Sequence, residues 1–100
     1  MKFILTFAWT PDAQKRAKGI VLFKKTGGLP PEGVKLLGRW TKANFSGGFD
    51  LLETEDPKNL IEFAYMWGDL MELSVFPVLE DQELSAALQN AMKKTRSARQ

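Results

Sequence analysis

The sequence predicts an α+β fold of order β-α-β-β-α-β, closed by a terminal helix. Three observations predict it. Runs rich in β-formers occupy residues 2–9, 34–43, 48–54 and 70–79. Apolar residues at helical spacing fill the intervals after the first and third of these runs, and recur after the fourth. Clusters of Gly and Pro separate the runs where a chain must turn.

The first strand, KFILTFAW, is almost continuously apolar, as suits a central strand covered on both faces. A helix is expected directly after it, with Thr10 as its cap, Pro11 in its first position and Asp12 at the positive end of its dipole. Ala13, Ala17, Ile20, Val21 and Lys24 continue at helical spacing, Lys24 and Lys25 suit the last turn, and Gly27 stops it. GGLPPEG, residues 27–33, is a loop. VKLLGRWTKA and GFDLLET then read as neighbouring strands joined through the hairpin loop NFSGG. The second helix opens at Asp56-Pro57, buries Leu60, Phe63, Ala64 and Trp67, and ends at Gly68. LMELSVFPVL is the fourth strand, with Pro77 marking a sheet edge. EDQELSAALQNAMKK carries acids first, bases last, and a stripe of Leu84, Ala87, Leu88, Ala91 and Met92, which makes it an amphipathic terminal helix.

One hundred residues form a single domain, read as 1–92, followed by a flexible basic tail at 93–100. The chain has neither Cys nor His. Disulfides, thiol nucleophiles, the usual zinc and haem ligands and imidazole bases are thereby excluded, and no metal and no cofactor are expected. Net charge is +2, yet KKTRSARQ holds four of the basic residues and no acidic one, so residues 1–92 carry −2. A slightly acidic body argues against nucleic acid as a partner. No run is long and apolar enough for a membrane span or a convincing signal peptide, and the cytoplasm is the expected location.

This element order is the ferredoxin-like arrangement, with both crossover helices on one face of an antiparallel sheet. The strands nevertheless carry apolar residues of both parities, such as Phe3 and Leu5 against Ile4 and Ala8, or Met71 and Leu73 against Phe76. Such a second face should not be left in water, so a homodimer with the sheets face to face is expected, rather than a terminal helix folded over the sheet.

The segments PPEGVKLLGRW, the Gly-Gly-Phe strand start, LLETEDP, WGDL and ELSVFPVLED occur in unbroken order. In them the chain resembles a bacterial family of domains of unknown function within the dimeric α/β barrel superfamily, over about residues 1–88. The resemblance implies two facing sheets with a cavity between them and implies no activity. A His often follows Gly-Arg-Trp in that family, where this chain has Thr41. Relatives in the wider superfamily include cofactor-independent monooxygenases and isomerases, and a shared fold does not choose among such functions.

Four polar residues are candidates for contact with a small organic ligand. Arg39 is expected on the barrel face, able to grip a carboxylate or phosphate, unless it forms a cross-strand ion pair with Glu53. Trp40 is then expected in the core beneath the helices, since neighbours on a regular strand point to opposite faces. Glu72 and Ser74 should share the face away from the helices with Thr6, and Glu72 is the best acid or base candidate. Glu53, Glu55 and Asp56 lack calcium-loop spacing, and helix capping accounts for Asp56. Trp9, Trp67 and Phe76 read as core rather than as cavity walls. The expected function is binding of a small molecule between two sheets. The alternatives are a cofactor-independent oxygenase or isomerase with Glu72 as base and, last, an RNA-binding module, which would need aromatics on strands 1 and 3.

Overall fold

Alternation along β1 (Lys2–Trp9) sends Phe3, Leu5, Phe7 and Trp9 to one face and Ile4, Thr6 and Ala8 to the other. The computed structural model describes residues 1–99, and side chains as far as Arg96. After β1 come α1 (Ala13–Thr26), β2 (Lys35–Thr41), β3 (Gly47–Glu53), α2 (Lys58–Gly68), β4 (Met71–Val78) and α3 (Asp81–Arg99). The four strands pair antiparallel in the order β2-β3-β1-β4. This is the ferredoxin-like α+β fold that the element order predicts, with β2 and β4 at the edges.

The core forms where the first parity of β1 meets α2. Phe3 lies opposite Leu52 of β3, and both pack with Leu5, Val34 and Met71 against Leu60, Phe63 and Trp67. The stripe expected on α2 is thus the one that is buried, and burial of each large apolar side chain contributes about 1.5–3 kcal/mol. The helix starts one residue later than the Asp56-Pro57 pair suggests, with Asp56 Oδ1 accepting from the Lys58 amide at 3.0 Å.

Asp12, not Thr10, caps α1, its carboxylate accepting from the amides of Gln14 and Lys15. Pro11 therefore lies before the helix, and Asp12 takes the capping role because its shorter reach to two free amides satisfies both. At the other end Gly27 adopts a left-handed φ of 69° and its amide donates to Phe23 O at 2.7 Å.

Strand β2 is where alternation breaks. Lys35 pairs with Glu53 and Leu36 with Leu52, but the next partners are Gly38 with Leu51 and Arg39 with Asp50. Leu37 is the extra residue of a β-bulge, and one inserted residue exchanges the faces of everything beyond it. Arg39 consequently turns beneath the helices, while Trp40, 52% exposed, turns to the open face, where it stacks on Phe49 with ring centroids 5.4 Å apart. The expected placement, Trp40 in the core and Arg39 on the barrel face, is therefore inverted. The two residues still split across the sheet, and the bulge decides which goes where.

Helix α3 leaves the sheet altogether. Its described side chains are exposed, and it makes no substantial packing contact with another element among the described residues. Lys2 of β1 pairs with Glu80 at its base, and Glu83 accepts from the Glu80 amide at 3.1 Å, one half of a capping box. The stretch from Lys93 to Arg99, read from the sequence as a tail, continues this helix, and Gln100 lies outside the described residues. No helix among the described residues is long and apolar enough to cross a membrane.

Candidate functional site

A cavity of about 310 Å³ lies between α1 and the sheet. Leu5, Phe7 and Trp9 of β1 and Leu73 of β4 line it from the sheet, Ile20 and Phe23 from α1, and Phe63 and Trp67 from α2. The space follows from how α1 is seated. Gly19 is buried against the Trp9 ring so closely that a Cβ there would lie 2.5 Å from Cζ3. Trp9 thus meets the helix backbone, while Ile20 and Phe23 span the gap beyond it without filling it. Phe45, in the β2–β3 hairpin, adds a further wall, its ring centroid 5.7 Å from that of Trp9. It holds a left-handed φ of 60°, which costs a non-glycine residue on the order of 1 kcal/mol. Hairpin hydrogen bonds impose that conformation: Trp9 N–H donates to Ser46 O at 3.0 Å, and Asn44 Oδ1 accepts from the Ser46 amide at 3.1 Å.

Of the three charged side chains in the wall, Arg39 and Asp50 neutralise each other, while Lys24 of α1 is exposed. Asp50, opposite Arg39 on β3 and 2% exposed, accepts from Arg39 Nε at 2.7 Å and from Nη2 at 3.2 Å. The guanidinium also donates through Nη2 to Gly28 O at 2.5 Å and through Nη1 to Gly27 O at 3.3 Å, and it lies 5.6 Å from the Phe23 ring centroid. Four of its donor directions are therefore used inside the protein. The ion pair proposed for Arg39 exists, with Asp50 rather than Glu53: Glu53 lies opposite Lys35, and the bulge sets Arg39 opposite Asp50 instead of Phe49. Gly28 is needed on two counts: its φ is 64°, and a Cβ would meet Arg39 Nη1 at 2.5 Å.

One polar atom by the cavity is unspent. Trp67 lines the cavity and is 7% exposed, and its indole N–H finds no acceptor among the described residues. A buried donor left unpaired costs about 1–3 kcal/mol.

The other sequence-predicted residues do not join this site. Thr6 pairs across to Ser74, and Ala8 to Glu72, on the opposite, open face of the sheet. Glu72 and Ser74 are exposed there and Thr6 is half-buried. Arg39 therefore cannot act with Thr6, Glu72 and Ser74, because the sheet stands between them. Trp9 and Trp67, read as core, line the cavity, whereas Phe76 is exposed on the open face with Trp40 and Phe49. Asp50 was missed entirely, although one acid among Phe49, Leu51 and Leu52 is itself a signal. The side chain of Arg99, part of the predicted basic tail, lies outside the described residues.

The ion pair yields a direct prediction. Arg39→Met should lower the unfolding free energy by about 3 kcal/mol, because it strands a buried carboxylate. Arg39→Met combined with Asp50→Leu should regain most of that loss. Urea unfolding of the three proteins measures both, and equal losses in the single and double variants would contradict the pairing.

Comparison with known proteins bears on the fold and the family. The solved structure titled "Structure of Rv0793 from Mycobacterium tuberculosis" is similar, with a TM-score of 0.50 over 81% of this chain and 98% of that one, at 11% identity. At that identity the likeness concerns the fold alone. No curated protein matches the chain. A family profile described as Domain of unknown function (DUF3303) matches residues 1–92, and the chain, its resemblance to such a family now established, belongs to it.

Proposed function

We propose that this chain binds a neutral, largely apolar small molecule in the cavity between α1 and the sheet. The observation that carries the reading is the unpaired indole N–H of Trp67, a residue of this largely apolar, aromatic-rich cavity. Sites for small organic ligands are of this kind: concave, apolar, of roughly 300–1,000 Å³, with few polar groups to fix orientation. Arg39 and Asp50 form a neutral pair that holds the wall, and the remaining charged residue, Lys24, is exposed, where solvent screens it, so neither favours a charged ligand. The ligand is accordingly a molecule with a hydrophobic body and one hydrogen-bond acceptor. This differs from the inter-sheet site expected from the sequence, because the bulge carries Arg39 to the helix side.

The open face of the sheet belongs to a second part of the proposal, in which another copy of the chain covers it. Trp40, Phe49 and Phe76 are exposed on that face, and α3 does not fold over it. Facing sheets would enclose Thr6, Glu72 and Ser74 between them, the setting in which Glu72 could serve as an acid or base. No geometry of the single chain favours catalysis there over simple association.

Two experiments test these parts separately. In calorimetric titration, 2-acetylnaphthalene, a neutral ketone, should bind more tightly than 2-naphthoate, and Trp67→Phe should weaken the ketone about tenfold, the value of one net hydrogen bond. Equal affinity for both compounds, or no loss in Trp67→Phe, would argue against the cavity reading. Because α3 packs on no other element among the described residues, a chain of residues 1–80 retains the core, and light scattering should find it dimeric. Trp40→Glu in that chain should leave monomers; a monomer before the substitution would remove the sheet-to-sheet contact.

A further inference from the structure

Helix α3 presents an apolar stripe with nothing against it. Leu84, Leu88 and Met92 are all about half exposed, although each step of four residues turns only about 40° around a helix and keeps them on one side. Ala87 and Ala91 fall within the same stripe and leave room for close approach of another backbone. An unpartnered helix of this length is marginal in water, so packing of this stripe would supply stability that propensity does not.

The charges flanking the stripe say what fits it. Glu83 and Lys94 are eleven residues apart, about three turns, and so lie on the same flank. Asp81 and Arg96 lie on the other flank, with the same midpoint along the helix, between Leu88 and Gln89. Acids early and bases late also suit the helix dipole, but the dipole explains their order along the axis, not their division between two flanks about one centre.

We propose that α3 is a self-association helix, pairing antiparallel with α3 of a second copy about a two-fold axis near Leu88. In an antiparallel two-fold pair the same flank of each helix meets. Glu83 then faces Lys94 of the second copy, Asp81 faces Arg96, Leu84 faces Met92, and Leu88 meets its own equivalent. Glu83 Oε1 is committed to the Glu80 amide, which leaves Oε2 for the pair. Parallel pairing would instead bring opposite flanks together and set Glu83 near Asp81 and Lys94 near Arg96, like charge against like, so the antiparallel direction is the one that suits the charges, with the stripe centred at Leu88, half a residue from their midpoint. This surface is separate from the open sheet face and does not depend on it.

The absence of cysteine from the chain makes a direct test possible. Full-length Leu88→Cys, under mild oxidation, should form a covalent dimer, and should do so equally with Trp40→Glu added. Leu84→Cys alone should stay monomeric on a denaturing gel, while a mixture of Leu84→Cys and Met92→Cys chains should cross-link. Glu83→Lys should slow the Leu88→Cys reaction about fivefold at low salt, and adding Lys94→Glu should restore it. Self-linking of Leu84→Cys at the rate of Leu88→Cys would show a parallel pair and overturn the proposal. So would the absence of every cross-link, with helix content by circular dichroism unchanged.

Discussion

Asp50 is the most demanding residue of the fold. A carboxylate 2% exposed is tolerated only if a cation answers it with good geometry, and Arg39 does so through two nitrogens. For Arg39 to reach it, β2 must put position 39 on the helix side, and the extra residue at Leu37 accomplishes that. The same guanidinium then holds the carbonyls of Gly27 and Gly28, which fixes where α1 ends and the loop to β2 begins. One ion pair thus joins β2, β3 and the end of α1.

The cavity is a consequence of that arrangement. Trp9 meets α1 at Gly19, the Arg39 clamp holds its far end, and Ile20 and Phe23 bridge the interval without closing it. Because Arg39 and Asp50 cancel, the buried part of the wall is hydrophobic with a local dipole, and the remaining charge is that of the exposed Lys24. In the proposed reading the unpaired Trp67 N–H is the group that orients a ligand, and it is itself buried. The lining residues come from six elements, so binding there would also draw α1 and α2 against the sheet.

The element order, the α2 stripe and the two-faced character of the strands were legible in the sequence because each rests on a period that local geometry enforces. Phe3, Leu5, Leu60, Phe63 and Trp67 could be placed from spacing alone. Arg39 and Trp40 could not. Their faces depend on a single inserted residue, and in LLGRW nothing local distinguishes a bulged Leu37 from a regular one. Leu36 does lie on the helix face, so unbroken alternation would have carried Trp40 into the core as expected. Asp50 escaped notice for a related reason, since its partner became apparent only with the shifted register. The direction of α3 was equally illegible: an amphipathic stripe announces that something packs on it, not whether the same chain provides it.

The three tryptophans report on the two faces separately, which permits the most direct test of the site. Trp9 and Trp67 line the cavity, whereas Trp40 stands on the open face. In an NMR titration with 2-acetylnaphthalene, the indole N–H resonance of Trp67 should move downfield as it acquires a hydrogen bond. That of Trp9 should shift through ring contact, and that of Trp40 should stay in place. Movement of Trp40 alone, or of none of the three at saturating ketone, would contradict a ligand site between α1 and the sheet.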